Sequence, residues 1–206
     1  MARATASDPI RNFKFLVDIT PTGGAGAGKT SGLAKSAPNI GKLGFSVMSG
    51  LSVQNEMVGY REGGMNTHTH KLVGQSDFAP VTFSRGVFHD QADMWRWQEF
   101  LHSWNQASTG SSSGDNDYRC DITVKVFDHP VSAGQYQEAG QTNSNNPNLG
   151  DAKLGIKLFN CWPGAYALSD LSAGESGIMI QQLTVHHEGF YIAWNAAEIA
   201  TLATKG

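Results

Sequence analysis

The chain has 206 residues, a formal net charge of -3, two cysteines and 24 glycines, and only 16% of its residues are charged. This length predicts one domain that buries a core, and the slightly acidic balance excludes the basic footprint of proteins that bind nucleic acid tightly through phosphates. No run of 18 apolar residues occurs and the first residues lack the apolar core of a secretory signal, which predicts a cytoplasmic product with no direct membrane insertion.

The first strand is predicted over residues 12–19, where apolar and polar side chains alternate. Its apolar positions are Phe13, Phe15, Val17 and Ile19. Residues 20–44 follow, rich in Gly, Ala and Ser, with almost nothing to bury. They are predicted to form a mobile surface loop that decorates the domain, so that deleting residues 22–35 should leave assembly intact.

A phosphate-loop pattern, G-x-x-x-x-G-K-T, lies inside this loop. It consists of Gly23, Gly28, Lys29 and Thr30. A phosphate cradle needs a helix that begins at the Lys-Thr pair, but here Ser31 and Gly32 follow, with proline and further glycine close behind. In a Gly- and Ala-rich segment such a match arises from composition alone. We interpret it as a chance match and predict no cofactor.

Residues 49–86 are predicted to form a strand, a long hairpin arm over about residues 54–72, and a second strand. The middle of the arm, from Tyr60 to His70, is polar and contains little that a core would bury. A lone hairpin is marginally stable in water, so this arm should rest on another surface. Its unpaired edges offer hydrogen-bonding groups to a further copy of the chain. The arm therefore predicts a self-assembling structural protein.

One convincing helix is predicted, from about His89 to Gln106. Asp90 is the predicted N-cap, and Asp93 adds negative charge in the first turn. The apolar positions recur at helical spacing and comprise Met94, Trp97, Phe100, Leu101 and Trp104. Such a stripe is typical of a helix packed on a sheet, and we favour this over a ligand cleft.

Residues 119–127 show the clearest alternation in the chain. The inward positions are Cys120, Ile122, Val124 and Val126, and the outward ones are Arg119, Asp121, Thr123 and Lys125. One apolar and one wet face indicate an antiparallel sheet with a solvated side. We interpret both cysteines, Cys120 and Cys161, as buried reduced thiols and not as a disulfide or a metal pair.

The remaining segments complete a mainly β chain. A loop is predicted over residues 129–151, a strand through Leu154, Ile156 and Leu158 that Trp162-Pro163-Gly164 ends, and a strand over residues 178–188. A short helix is predicted over about residues 195–204, docked through Ile192, Ile199 and Leu202. Together the elements predict an antiparallel β-sandwich or barrel of two packed sheets with one flanking α-helix.

Candidate chemistry is sparse. His68 and His70 share a strand face, and His186, His187 and Glu188 offer further ligand types. A zinc site needs three or four such groups to converge, but neighbouring residues of a strand point to opposite faces, so no metal site is predicted. There is no G-x-S-x-G nucleophile elbow, and the carboxylates are scattered. We predict no catalytic residues and no enzyme.

An ordered set of motifs spans nearly the whole chain. It comprises Phe13, Phe15 and Val17, then SGL at 49–51, Glu56, YREGG at 60–64, K-x-x-G at 71–74, VTFSRG at 81–86, WPGAY at 162–166, SDL at 169–171 and LTVHHEGF at 183–190. In this order and spacing the set resembles the inner-tube proteins of contractile phage tails and related injection systems. No single motif is specific, but their order is.

The resemblance implies rings of six copies, stacked into a tube inside a contractile sheath, which delivers protein effectors or DNA. About four strands per copy would form the wall; 24 strands at ~4.8 Å spacing and ~45° tilt enclose a backbone circle ~50 Å across and a bore of ~40 Å. Implied partners are further copies, the sheath protein, the baseplate or spike hub, a tape-measure or cap protein, and the cargo. The protein would assemble in the cytoplasm into a phage-tail-like particle or virion, with extracellular release as a further expectation.

The resemblance also implies contact residues. The arm would contact a neighbouring subunit and the adjacent ring through Glu56, Tyr60, Arg61, Glu62, Gly63 and Gly64. The wet face of Arg119, Asp121, Thr123 and Lys125 is a hypothetical lumen lining, because mixed charge would let cargo slide. Residues 20–44, 129–151 and the C-terminal extension, about 190–206, are predicted to decorate the outer wall or ring interface.

Two other classes remain open on the sequence. A P-loop nucleotide-binding enzyme would lose binding of a fluorescent ATP analogue on Lys29→Ala substitution. A monomeric β-sandwich recognition module, such as a carbohydrate binder, would stay monomeric at high concentration.

Overall fold

A computed structural model describes residues 10, 12–22, 33, 37–65, 67–106, 118–127, 152–174 and 176–202, of which 42, 103–106 and 196 are described by backbone alone. Within these residues the strands are β1 (Phe15–Pro21), β2 (Val47–Ser49), β3 (Val53–Tyr60), β4 (His70–Phe78), β5 (Val81–Gly86), β6 (Cys120–Phe127), β7 (Ala152–Leu168), β8 (Ile180–His186) and β9 (Gly189–Ala193). The helices are α1 (Asp93–Gln106), α2 (Ala196–Ala200) and a 3₁₀ turn at Ile40–Lys42.

Seven strands form one rolled antiparallel sheet in the order β1-β6-β7-β8-β5-β2, with β9 also paired to β7. The long strand β7 contributes to two halves of this sheet. Residues 152–161 of β7 lie with β1, β6 and β9, which we call sheet I, and residues 162–168 lie with β8, β5 and β2, which we call sheet II. The predicted architecture, mainly β with two packed antiparallel sheets and a flanking helix, is confirmed.

The core lies between the two sheets because each strand turns alternate apolar side chains inward. In β6 the predicted inward positions Cys120, Ile122 and Val124 are buried. Val126 faces the same side of the sheet as Val124 but is only half-buried there. Phe127, after a register shift against β7, is buried on the opposite face with Ile199 and Leu202. Phe13 was also predicted inward, but it precedes β1 and is exposed.

The two cysteines are reduced thiols, as predicted, and lie fully buried and directly opposite each other on β6 and β7. Burial raises the pKa of the Cys161 thiol, and the nearby Asp121 carboxylate raises it further. The nucleophilic thiolate is therefore suppressed at neutral pH.

Strand β7 continues through Trp162-Pro163-Gly164 to Leu168, so the predicted end of this strand is wrong. Asn160 has a positive φ of 50°, and the register against β8 shifts between Pro163 and Ala165. A bulge bends a strand and accommodates a proline that has no N–H to donate. This bend allows one strand to belong to both sheets.

Helix α1 begins at Asp93, later than predicted, and Asp90 is not its N-cap. Asp90 has φ 60°, outside the extended region that an N-cap residue adopts, and Ala92 O accepts the first helical bond from Arg96 N at 2.8 Å. The predicted face is confirmed at Met94 and Trp97, which are buried.

The other predicted positions on this face differ. Phe100 and Leu101 are half-buried, and the side chain of Trp104 lies outside the described residues. The indole Nε1 of Trp97 donates to Tyr118 O at 2.8 Å, which joins the helix to the segment before β6.

The interpretation of residues 20–44 as a loop with nothing to bury is wrong for its second half. Four of its side chains are buried in the main core: Leu33, Ala37, Ile40 and Leu43. Apolar residues spaced this widely show no periodicity, so their burial could not be predicted from the residue pattern. A deletion of residues 22–35 would remove Leu33 and therefore no longer tests a merely decorative loop.

Leu33→Ala should lower the free energy of unfolding by about 2–5 kcal/mol, because the leucine is fully buried and its loss leaves a cavity. Urea unfolding followed by circular dichroism measures the change. Leu171→Ala is the matched control: Leu171 is 81% exposed, and its substitution should change stability by less than about 0.5 kcal/mol. Equal effects of the two substitutions would contradict the burial of Leu33.

Helix α2 docks on the outer face of sheet I. Asn195 caps it by accepting from Glu198 N at 2.8 Å. Ile199 and Leu202 are buried there, as predicted, and a Cβ at Gly155 would collide with the side chain of Leu202. Ile192 was predicted to join them, but it packs against the main core on the opposite face of β9.

Candidate assembly surfaces

The hairpin arm is a separate two-stranded sheet of β3 and β4. Every residue of β3 is exposed, and in β4 only Gly74 and Phe78 are half-buried. Eight residues at about 3.3 Å each give the arm a reach of about 26 Å. An isolated hairpin of this length with almost no buried side chains would not be stable in water. The arm therefore needs another surface to pack against.

Both faces of the arm are apolar. Met57 pairs with Val73 on one face, and Val58 pairs with Leu72 on the other. Their exposures are 58%, 82%, 47% and 58%, respectively. Exposed apolar pairs on opposite faces indicate an element that is enclosed from two sides in its working state.

The six residues predicted to make subunit and ring contacts all lie on the arm and are all exposed. Glu56 lies within β3, opposite an irregularity in β4, and a Cβ at Gly74 would come within 3.1 Å of the Glu56 carbonyl oxygen. Tyr60 ends β3. Arg61, Glu62, Gly63 and Gly64 form the turn beyond it, where Met65 N donates to Glu62 O at 3.2 Å. Five of the six therefore lie at the distal end of the arm, whereas Glu56 lies nearer its root; their contact role stays a prediction.

His187 connects the root of the arm, between β4 and β5, to the start of β9. Its Nε2 lies 3.1 Å from Ala79 O, between β4 and β5, and its Nδ1 lies 3.2 Å from Gly189 O. The ring contacts those of Phe78 and Phe190 at centroid distances of 5.8 and 6.0 Å. His187 is buried at this position, 8% exposed, so its ring is held by these hydrogen-bonding and aromatic contacts.

His187→Phe should destabilise the protein by about 1–3 kcal/mol, because the replacement keeps a ring of similar size but removes the imidazole N–H that donates to one of the two part-buried carbonyl oxygens, Ala79 O or Gly189 O. Thermal unfolding and proteolysis at the arm root measure it. His186→Phe is the control, since His186 is half-buried and stacks on Trp162. A His187→Phe protein as stable as the control would show that the hydrogen bonds at the root contribute nothing.

The outer face of sheet I is charged and partly covered. The four residues predicted to line a lumen, Arg119, Asp121, Thr123 and Lys125, are half-exposed. Asp121 pairs with the almost fully buried Lys157 at 3.2 Å, and Arg119 pairs with Glu188 at 2.6 Å. Further along β6 on the same face, Lys125 lies opposite Gly155 of β7, where α2 docks. This face therefore carries structural ion pairs and a helix.

The outer face of sheet II is uncharged. It presents small or neutral side chains from β5, β8 and β7: Thr82, Ser84, Gln182, Thr184, Ala165 and Ala167. The one charged residue in these strand segments, Arg85, points inward and is 2% exposed. The Thr82 and Thr184 hydroxyls lie 3.1 Å apart and bond to each other across the strands.

Sheet II has two open edges. Among the described residues, β2 pairs only with β5, and residues 162–168 of β7 pair only with β8. Beside the β2 edge lies an apolar groove of about 440 Å³, lined in part by Phe15, Val47, Met48, Val126 and Leu154. Unpaired edges next to an uncovered apolar groove are features that another chain would cover.

The sequence-based chemistry can be placed only in part. Residues 23–30, with the phosphate-loop pattern, and residues 129–151 lie outside the described residues. In the part of the chain that the structure describes, no three His, Cys, Asp or Glu side chains come together as a metal site would require. No helix in that part is long and apolar enough to cross a membrane.

Comparison with known proteins supplies the family. The family model described as T4-like virus tail tube protein gp19 matches residues 11–191. No curated protein matches the chain.

Solved structures share its fold at low sequence identity. A chain in the cryo-EM structure of the anti-feeding prophage (AFP) baseplate is 18% identical with a TM-score of 0.61, covering 91% of this chain and 97% of that one. A chain of the AFP tube-terminating cap is 19% identical, with a TM-score of 0.59 and coverages of 94% and 97%. A chain of the PVC sheath-tube complex in the extended state, from an extracellular contractile injection system, is 18% identical, with a TM-score of 0.58 and coverages of 91% and 93%.

Proposed function

Because the chain belongs to the T4-like virus tail tube protein family, we propose that six copies form a ring and that rings stack into the hollow inner tube of a contractile particle. The chain is a structural tube subunit, as its resemblance predicted. Cargo, a protein effector or DNA, passes through the bore when the surrounding sheath contracts. No described feature of the chain calls for catalysis in this role.

The observation that carries this proposal is the arm. Its two apolar faces, with Val73 82% exposed on one and Leu72 58% exposed on the other, have no counterpart surface among the described residues of the same chain. One face packs on the neighbouring subunit of the ring and the other on the adjacent ring. The arm begins four residues after β2, so it extends from the β2 edge over the neighbour at that edge.

The ring closes at the open edges of sheet II. The β2 edge of one copy meets the β7 edge of the next, and that neighbour covers the apolar groove beside β2. Such a head-to-tail contact uses two different surfaces, so it repeats around a ring, and closure removes the exposed edges. A second heterologous contact, through the arm, lets rings stack.

The partners follow from the assemblies in which the fold occurs. The similar chains belong to a baseplate, a tube-terminating cap and a sheath-tube complex. We propose that this chain likewise contacts a sheath protein on its outer wall and baseplate, cap or tape-measure proteins at its ends. The loops at 20–44 and 129–151 and the C-terminal extension remain candidates for the outer contacts, with the correction that Leu33, Ala37, Ile40 and Leu43 belong to the core.

Sedimentation velocity with mass analysis tests the ring. Six chains of 22.1 kDa have a mass of about 133 kDa, and stacked rings sediment as multiples of that mass. A chain that stays near 22.1 kDa at all concentrations would favour a monomeric recognition module. Binding of a fluorescent ATP analogue that Lys29→Ala abolishes would favour the nucleotide-binding alternative.

A further inference from the structure

We infer that the uncharged outer face of sheet II is the wall of the bore and the surface that cargo touches. This inference rests on the proposed tube function and assigns the lumen to particular residues. The face includes Thr82 and Ser84 of β5, Gln182 and Thr184 of β8, and Ala165 and Ala167 of β7. Val47 of β2 and Ile180 and His186 of β8 lie on the same face towards its margins. The assignment differs from the sequence-based hypothesis, which put Arg119, Asp121, Thr123 and Lys125 in the lumen.

The distribution of charge separates the two faces. The outer face of sheet I carries Asp18, Lys125, Asp121 and Lys157 on neighbouring strands. The outer face of sheet II carries no Asp, Glu, Lys or Arg in its described strands, although 16% of the chain is charged. A four-stranded surface of this composition on the outside of a particle would lack the charges that keep sheets from associating edge to edge. Enclosure within a bore removes that liability.

Coverage points the same way. Helix α2 lies over the β9 side of sheet I, where Ile199 and Leu202 pack on Gly155. A wall that is continuous from copy to copy requires a bare face with open edges on both sides. Among the described residues both sheets end in unpaired strands, β1 and β9 in sheet I and β2 and residues 162–168 of β7 in sheet II. In sheet I, however, α2 covers part of the outer face, whereas Ala165, Ala167 and Gln182 on the outer face of sheet II are exposed.

The chemistry suits a passage rather than a binding site. Fixed charges in a narrow channel concentrate ligands of the opposite sign, and a wall without them retains neither acidic nor basic cargo by long-range attraction. The Thr82 and Thr184 hydroxyls bond to each other, which leaves fewer free donors to hold a passing chain. The wall therefore fits cargo of either charge that must move and not stay.

Single cysteines report where each face lies. In Gln182→Cys tubes, a small biotin maleimide should react in the intact tube, whereas streptavidin beads, which cannot enter a bore of ~40 Å, should capture the labelled protein only after dissociation. Ala167→Cys is a second variant on the same face. The unsubstituted chain is the background control, because Cys120 and Cys161 are fully buried. Thr123→Cys probes the rival face and should be captured from intact tubes.

Capture of Gln182→Cys and Ala167→Cys along intact tubes would overturn the inference and leave the tube function standing. Failure of both to react with the small reagent in intact tubes would also overturn it, since the face would then be a contact between copies. Protection of Thr123→Cys together with capture of Gln182→Cys would return the lumen to β6. If the unsubstituted chain forms no ring or tube, the proposed function fails first and the inference with it.

Discussion

A Val73→Glu chain is expected to stay monomeric under conditions in which the unsubstituted chain forms rings. Val73 is 82% exposed in the isolated subunit, so the carboxylate is hydrated there and costs the monomer little. In an assembled arm the same position faces an apolar surface, and an unpaired buried charge costs several kcal/mol at each contact. Sedimentation velocity measures assembly, and thermal unfolding by circular dichroism verifies the fold.

Leu72→Glu, on the opposite face of the arm, makes this test sharper. If the face of Val73 contacts the ring neighbour and the face of Leu72 the adjacent ring, Val73→Glu should prevent rings and Leu72→Glu should leave rings that do not stack. Val73→Ile is the control that keeps an apolar side chain and should assemble. Normal tubes from both glutamate variants would contradict the assembly role of the arm.

Trp97→Ala should lower the free energy of unfolding by about 3–5 kcal/mol, the largest stability effect expected in the chain. Trp97 belongs to α1, and its side chain is fully buried. Its loss removes both the largest side chain of the core and the hydrogen bond to Tyr118 O. Domains are stable by about 5–15 kcal/mol, so a considerable part of that margin would be lost. Chemical unfolding monitored by far-ultraviolet circular dichroism gives the value.

Trp95→Ala is the matched control on the same helix. Trp95 is 46% exposed and packs edge-on against Tyr166 at a centroid distance of 5.5 Å, so its removal should cost about 0.5–1.5 kcal/mol. Trp97→Phe separates packing from hydrogen bonding, because it keeps an aromatic ring but leaves the Tyr118 carbonyl without its donor. Equal losses of stability for Trp95→Ala and Trp97→Ala would contradict the orientation of α1, in which Trp97 is buried and Trp95 is partly exposed.

Periodicity made much of the fold predictable. The alternation along β6 and the helical spacing of Met94 and Trp97 report directly which side chains face the core. The polar middle of the arm likewise indicated an element without a core of its own. These signals are local, so a single sequence contains them.

The sequence-based predictions fail where burial depends on contacts between residues that are distant in the sequence. Leu33, Ala37 and Ile40 are buried although they are scattered through a Gly- and Ala-rich segment. Strand β7 passes through Pro163 because a bulge supplies a conformation that the residue pattern does not show. The uncharged face of sheet II depends on β5, β8 and β7 being neighbours, and this order of strands is a property of the topology. The sequence shows each polar alternation separately but not that they form one surface.

Electron microscopy of the concentrated, untagged protein tests the central claim most directly. The account predicts rings with a central hole, or tubes of constant bore, with a hole of ~40 Å for a wall of 24 strands. A uniform field of small monomers at every concentration, with the folded state verified by circular dichroism, would contradict it.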